Sequence, residues 1–325
     1  MTLVSHYVIY VCYRLVIWRK RRCCGVRVFV TGASGVLGRA AVRALIADGH
    51  DVTGLARTPD KAASLSQLGA QPVQVPLFDV DVMTEALYGF DAVCNLVTSI
   101  PVGRAGLRRG AWKVSDRVRT EGSRVVMRAA RGAGVRRLVQ ESVSFMYVDA
   151  GDDWLTERSP LCVTHAVEPS AVAETNATSF ESPSHAAVVL RFGQIVGDDP
   201  LTRMRLLQAR AGRPIGLGDP RGWAHLVHPE DAGTAVAAAL GAPGGVYNVG
   251  AEPIRRDEMT RIFGEIAGRP DIGFLPRLLV RVAGERLEPL TRSHRVSSGK
   301  LHEATGWKPI HHAFEPSWLG GVVAR

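Results

Sequence analysis

The sequence predicts an α/β protein built on a doubly wound parallel sheet with a smaller C-terminal lobe, and three observations carry that prediction. From Val26 onward, short β-branched runs alternate with helical stretches of apolar spacing, the rhythm of βαβ units. The first run ends in a glycine-rich turn, "VTGASGVLG" at residues 30–38, which opens directly into a helix pattern. A chain of 325 residues that is 46% hydrophobic is long enough to bury a large core.

Six strands are expected in order: Val26–Thr31, Val52–Leu55, Pro72–Val75, Ala92–Leu96, Leu138–Glu141 and Ala187–Leu190. Between them lie helical patterns such as Val36–Asp48 and Arg119–Ala133. In "LIADGHDV" and "ARGAGVRRLV", Gly49 and Gly134 stand just past a helix, where a left-handed cap is needed before the chain enters the next strand. After about residue 197 the rhythm weakens, and "GRPIGLGDPRGWAHLVHPEDAG" is rich in turn residues. The expected organisation is an extension outside the fold at residues 1–25, a main domain at 26–197, and a smaller lobe at 198–325 with segments returning to the main domain.

The net charge of +9 is concentrated at the start. Residues 1–24 hold Arg14, Arg19, Lys20, Arg21 and Arg22 and no acid, leaving +4 for the rest, which argues against a nucleic-acid partner. Cys12, Cys23 and Cys24 also lie there, leaving Cys94 and Cys162 in the body: no disulfide framework, no metal-ligand spacing, and a cytoplasmic setting. The leader places its apolar run before its basic cluster, the reverse of a secretory signal. Leu3–Trp18 is also too short and too polar for a membrane span. It reads as an artefact of an upstream start, with a membrane-surface anchor as the alternative.

The glycine turn points to a dinucleotide. Gly32, Gly35 and Gly38 permit the tight turn, bring the backbone close to a pyrophosphate and let the helix pack on the sheet, with Ser34, Val36 and Leu37 completing the cradle at the helix N-terminus. This is the Rossmann arrangement. About 20 positions on, where an acid would bind a ribose 2′-hydroxyl, "GLARTPD" offers Ala56 and Arg57. Arginine presents a fork of donors suited to a phosphate, and Arg39 adds a cation in the first helical turn, so NADP is favoured over NAD.

From Val26 to about Pro309 the chain resembles the extended and atypical short-chain dehydrogenase/reductases, the NAD-dependent epimerase/dehydratase family. The motifs are "VTGASGVLG", "LFDVDVMTEALYGFDAVCNLVTSIP", "GVRRLVQESVSFMY", "VLRFGQIVG", "HLVHPEDAG", "GVYNVGAEPI" and "TGWKP". The resemblance implies that Asp79 and Val80 contact the adenine end. It also implies that Leu96, Val97 and Thr98 line the path to the nicotinamide, that Gly193–Val196 lie beside the substrate, and that a homodimer is permitted. Asp79 could equally cap the helix that follows it, and His225 and His228 read first as hydrogen-bonded structural histidines.

The chain departs from the family where chemistry is expected. The family pairs a Tyr with a Lys four residues on, the cation lowering the phenol's pKa. None of the six tyrosines here has a lysine at that position, and the region of the expected catalytic helix reads "HAVEPSAVAETNATSFES". Val143 occupies the place of the family's hydroxyl, four residues before Tyr147. The remaining catalytic candidates are Ser142, Ser144 and Tyr147, with Asp152, Asp153 and Glu157 nearby. The favoured reading is an oxidoreductase or epimerase-like enzyme on a small hydroxyl or carbonyl substrate. The alternative is an NADP-binding sensor or scaffold that has lost turnover.

Overall fold

Val28, Phe29 and Val30 are wholly buried, so β1 (Arg27–Thr31) can only run through the middle of a sheet covered on both faces. The computed structural model that shows this describes residues 25–323, apart from 104, 105, 107, 109, 277, 279 and 281–284. The expected leader, residues 1–24, lies outside the described residues.

Around β1 the chain adds β2 (Asp51–Leu55), β3 (Gln71–Val73), β4 (Ala92–Asn95), β5 (Arg137–Val143), β6 (Ala186–Phe192) and β7 (Gly245–Val249). All pair in parallel, in the order β7-β6-β5-β4-β1-β2-β3. The direction of winding reverses between β1 and β4, which opens a crevice at the carboxyl ends of those strands. All six expected strands form. β3 stops at Val73, whereas β6 runs on to Phe192 and carries Arg191 into the sheet. β7, from the C-terminal part of the chain, completes the edge.

The helices are α1 (Val36–Ala47), α2 (Pro59–Gln67), α3 (Val80–Leu87), α4 (Lys113–Arg117), α5 (Ser123–Gly132), α6 (Glu168–Thr178), α7 (Pro200–Arg210), α8 (Pro229–Ala239), α9 (Arg256–Ile266) and α10 (Gly299–Thr305). A π-helical turn, Val118–Gly122, joins α4 to α5, so the single helix expected at 119–133 begins earlier and changes pitch. α1 and α8 cover one sheet face through Leu37, Ala41, Leu45, Ala232, Ala235 and Val236. α3, α5 and α6 cover the other through Met83, Leu87, Val126, Ala129 and Ala177. α1 ends as the glycine pattern expects: Gly49 has φ +83°, and His50 N donates to Leu45 O. Gly134, at φ +73°, does the same for α5.

A third core joins Leu206, Ala224, Leu226, Ile262, Phe263, Phe314 and Trp318, uniting α7, α9 and the last segment beside the carboxyl edge of the sheet. No helix among the described residues is long and apolar enough to cross a membrane.

Candidate active site

The crevice floor is the turn after β1. Gly32 has φ +67°, and a Cβ there would stand 2.6 Å from Leu96 O and from Val97 Cα. Only glycine lets the turn lie against the strand that bounds the other side. At Gly38 a Cβ would meet Gly32 O at 2.1 Å, which is how closely α1 sits on the loop. The N-terminus of α1 is uncapped: Gly35 supplies no side-chain bond and the first turn has no acid. Its free amides and the helix dipole therefore face the crevice as an anion site. The Arg39 guanidinium donates to Ser34 O at 2.8 Å, which holds a cation over the loop.

Leu96 is buried and Thr98 half-buried just beyond β4. Arg57 is exposed beyond β2. Asp79 caps α3, its Oδ1 accepting from Asp81 N and Val82 N at 3.1 Å each, and Val80 is the first residue of that helix.

The wall above β5 and β6 is charged and closed. Arg191 forks onto Glu174 of α6, Nε to Oε1 at 2.8 Å and Nη2 to Oε2 at 2.7 Å. Ser142 Oγ donates to the same Oε1 at 2.6 Å. The third arm of Arg191 reaches the Tyr147 hydroxyl at 2.9 Å, and that hydroxyl donates to Asn248 Oδ1 at 2.8 Å. Tyr147 is fully buried, and burial raises its phenol pKa against the opposing pull of Arg191 and Asn248. A second pair lies alongside: Arg119 of the π-turn donates to Glu141 at 2.8 Å and to Ser170 Oγ. Burial raises the Glu141 carboxyl pKa, with Arg119 opposing. Ser144 sits at the end of the wall, its Oγ 2.9 Å from His225 Nδ1. Burial, reinforced by His294, pushes His225 down to about 3, so the ring is neutral at physiological pH. Of the loop acids, Glu157 accepts from Asn248 N at 2.8 Å, while Asp152 accepts from Trp223 Nε1 and pairs with Arg255.

Residues 32–209, more than half of the chain, match the NAD(P)H-binding family. The chain belongs to the NAD(P)-binding short-chain dehydrogenase/reductases. It is similar to the 3-diazoavenalumate denitrifying reductase of a Streptomyces species, 31% identical over 91% of this chain and 99% of that one. The 4-hydroxy-2-methyl-3-oxo-4-farnesyl-3,4-dihydroquinoline-1-oxide ketoreductase of Stigmatella aurantiaca is 28% identical over 82% and 81% of the two chains. Among solved structures, DesIV, a dTDP-glucose 4,6-dehydratase from Streptomyces venezuelae with NAD bound, superposes with a TM-score of 0.72 at 20% identity, over 92% of this chain and 96% of that one, a likeness of fold.

The matched family binds NAD(P)H, and the two curated relatives named above are a reductase and a ketoreductase by name. The inward face of α6 is polar at two positions. Ser170 and Glu174, four residues apart and therefore on one face, point at the charged wall, with no aromatic acid and no lysine between them. The structure brings Ser142, Tyr147, Glu174 and Arg191 into one bonded group and places Ser144 beside it with His225. Glu141, Glu174, Arg119 and Arg191 escaped the sequence reading. Their signal was present, since a charge inside an apolar strand such as "VVLRF" requires a buried partner.

Proposed function

We propose that this chain is an NADP(H)-dependent reductase of a small carbonyl compound that works without the tyrosine and lysine pair. The observation that carries the reading is the uncapped, acid-free start of α1 with Arg39 and Arg57 around it, a cationic cradle with no acid placed to select a free 2′-hydroxyl. Gly32, Ser34, Gly35, Val36, Leu37 and Gly38 would hold the pyrophosphate. Arg57 would hold the 2′-phosphate, Asp79 and Val80 the adenine end, and Leu96 and Thr98 the nicotinamide side. Bound there, the nicotinamide supplies hydride chemistry.

The chain's own task is then to orient the carbonyl and steady the charge that develops on its oxygen. Ser144 Oγ is the hydroxyl for that contact, with His225 fixing its orientation. Ser142 and Tyr147, both held through Arg191 and Glu174, set the shape of the wall behind it. The lobe formed by residues 198–325 would supply the substrate side of the pocket. The two reductase names among the relatives agree with this direction of reaction.

A sensor is the second reading, favoured by one observation: Ser142, Tyr147 and Glu174 are all bonded to one another's partners within the wall. Titration of the full chain with NADPH and NADH, followed by turnover against a panel of ketones and aldehydes, separates the two. The enzyme predicts NADPH oxidation with at least one carbonyl, reduced about a hundredfold or more in Ser144→Ala. Tight NADPH binding with no turnover on any member would establish the sensor.

A further inference from the structure

Two histidines far apart in sequence meet at the start of α8. His228 precedes the helix, Glu230 and Asp231 lie in its first turn, and the C-terminal segment lays His311 across them. Asp231 is buried and grips that segment: Oδ1 accepts from Ile310 N at 2.6 Å, and Oδ2 accepts from His311 N at 3.0 Å. The His311 ring is turned with Nδ1 2.9 Å from the same Oδ2. In that arrangement Nδ1 faces the Asp231 carboxylate, and Nε2, on the far side of the ring, faces Glu230 Oε2 at 3.9 Å. The His228 ring lies against His311 with centroids 3.7 Å apart, and both rings pack edgewise on Trp318. His228 has little room behind it, because a Cβ at Gly197 would already meet its Cδ2 at 3.2 Å.

One ligand atom from each of His228, Glu230 and His311 lies within 4.8 Å of the others. Ligands about 2.1 Å from a tetrahedral ion stand roughly 3.4 Å apart, so closure asks for side-chain rotations of about an ångström. His228 must also release its weak 3.4 Å contact with the Glu230 amide. Two imidazoles and a carboxylate form the three-ligand set that binds zinc with a fourth position open. A buried carboxylate on the far nitrogen of one imidazole is the supporting contact that ligating histidines use. An isolated acidic cluster would have neither feature.

We propose that His228, Glu230 and His311 bind one divalent transition-metal ion, of which Zn2+ suits the ligands best, with Asp231 orienting His311. The ion fastens the C-terminal segment to the start of α8. The same helix, α8, also packs closely on α1, where a Cβ at Gly233 would stand 2.4 Å from the Ala40 carbonyl carbon. The site thus anchors the end of the chain to the layer that bears the nucleotide cradle. The proposal is independent of the cofactor preference argued above.

The test titrates the full chain, stripped of metal by a chelator, with Zn2+ by calorimetry and with Co2+ by visible absorption. One equivalent should bind, Co2+ should show the intense d–d bands of a four-coordinate nitrogen and oxygen site, and Zn2+ should raise the melting temperature. Glu230→Gln, an exposed change that leaves the fold intact, should weaken Zn2+ at least tenfold, and His311→Ala should abolish the Co2+ bands. Asp231→Asn should cost about 10- to 100-fold. Absence of heat and of Co2+ bands would overturn the proposal. So would binding that survives both Glu230→Gln and His311→Ala, because the metal would then be held elsewhere.

Discussion

Replacing Gly38 by alanine tests the nucleotide cradle at its tightest point. The added methyl would lie 2.1 Å from Gly32 O and 2.7 Å from both Ala33 Cα and Gly32 C, all backbone atoms. Ordinary contact begins at 3.4 Å, so α1 must retreat from the loop by about 1.3 Å in an interior that packs like a crystal. Overpacking of this size costs about 1–3 kcal/mol of stability. A donor set displaced by about an ångström loses roughly a hundredfold in function, so NADPH affinity should fall by a similar factor, near 2.7 kcal/mol.

Gly49→Ala is the matched control at the other end of α1. Unlike Gly38, which is helical, it has positive φ (+83°), and its added methyl meets nothing within 4 Å. It should lose about 1 kcal/mol of stability and leave NADPH affinity unchanged. Calorimetric titration with NADPH and urea unfolding on the same three proteins read both quantities. The reasoning is refuted if Gly38→Ala binds NADPH as tightly as the parent, or if Gly49→Ala loses affinity equally.

Arg57→Ala should weaken NADPH by about tenfold or more, the worth of a charged hydrogen bond, and leave NADH nearly untouched; equal losses for the two would remove Arg57 from the site. Glu174→Gln strands Arg191 inside the fold and should cost about 3–5 kcal/mol, whereas Glu174→Leu combined with Arg191→Met should recover most of it, as read by urea midpoints; a single-variant loss below 1 kcal/mol would contradict the buried pair. Burial holds His225 down to about 3 and His294 down to about 4, so both rings stay neutral in the fold. Above the unfolded value of 6.5 both states are neutral and stability is level. As the pH falls below it, the unfolded chain gains two protons that the native state refuses, and stability drops until the folded values are reached. Between pH 7 and 5 the loss should be about 4 kcal/mol, and a flat urea midpoint across that window would show that the rings are not buried as described.

Local chemistry made much of the fold legible. Strands buried on both faces read as β-branched runs, and Gly32, Gly49 and Gly134 stand where the backbone takes positive φ. Asp79 caps α3 as its position before the helix suggests. β7 was harder, because "GVYNV" is short and gains its identity only by pairing with β6. The charged wall is harder again. Glu174 and Arg191 sit on a helix and the strand that follows it, and no spacing rule links them until the crossover folds back on the sheet. His228 and His311 belong to distant segments, so their meeting is a tertiary fact.

The contact between α8 and α1 also sets a timetable. During synthesis α1 leaves the ribosome about 190 residues ahead of α8, and until then its outer apolar stripe has no cover. The nascent chain must hold an incomplete layer while those residues are made, with apolar surface open to aggregation. Overproduction at low temperature, which slows aggregation of such half-built chains, is the practical remedy.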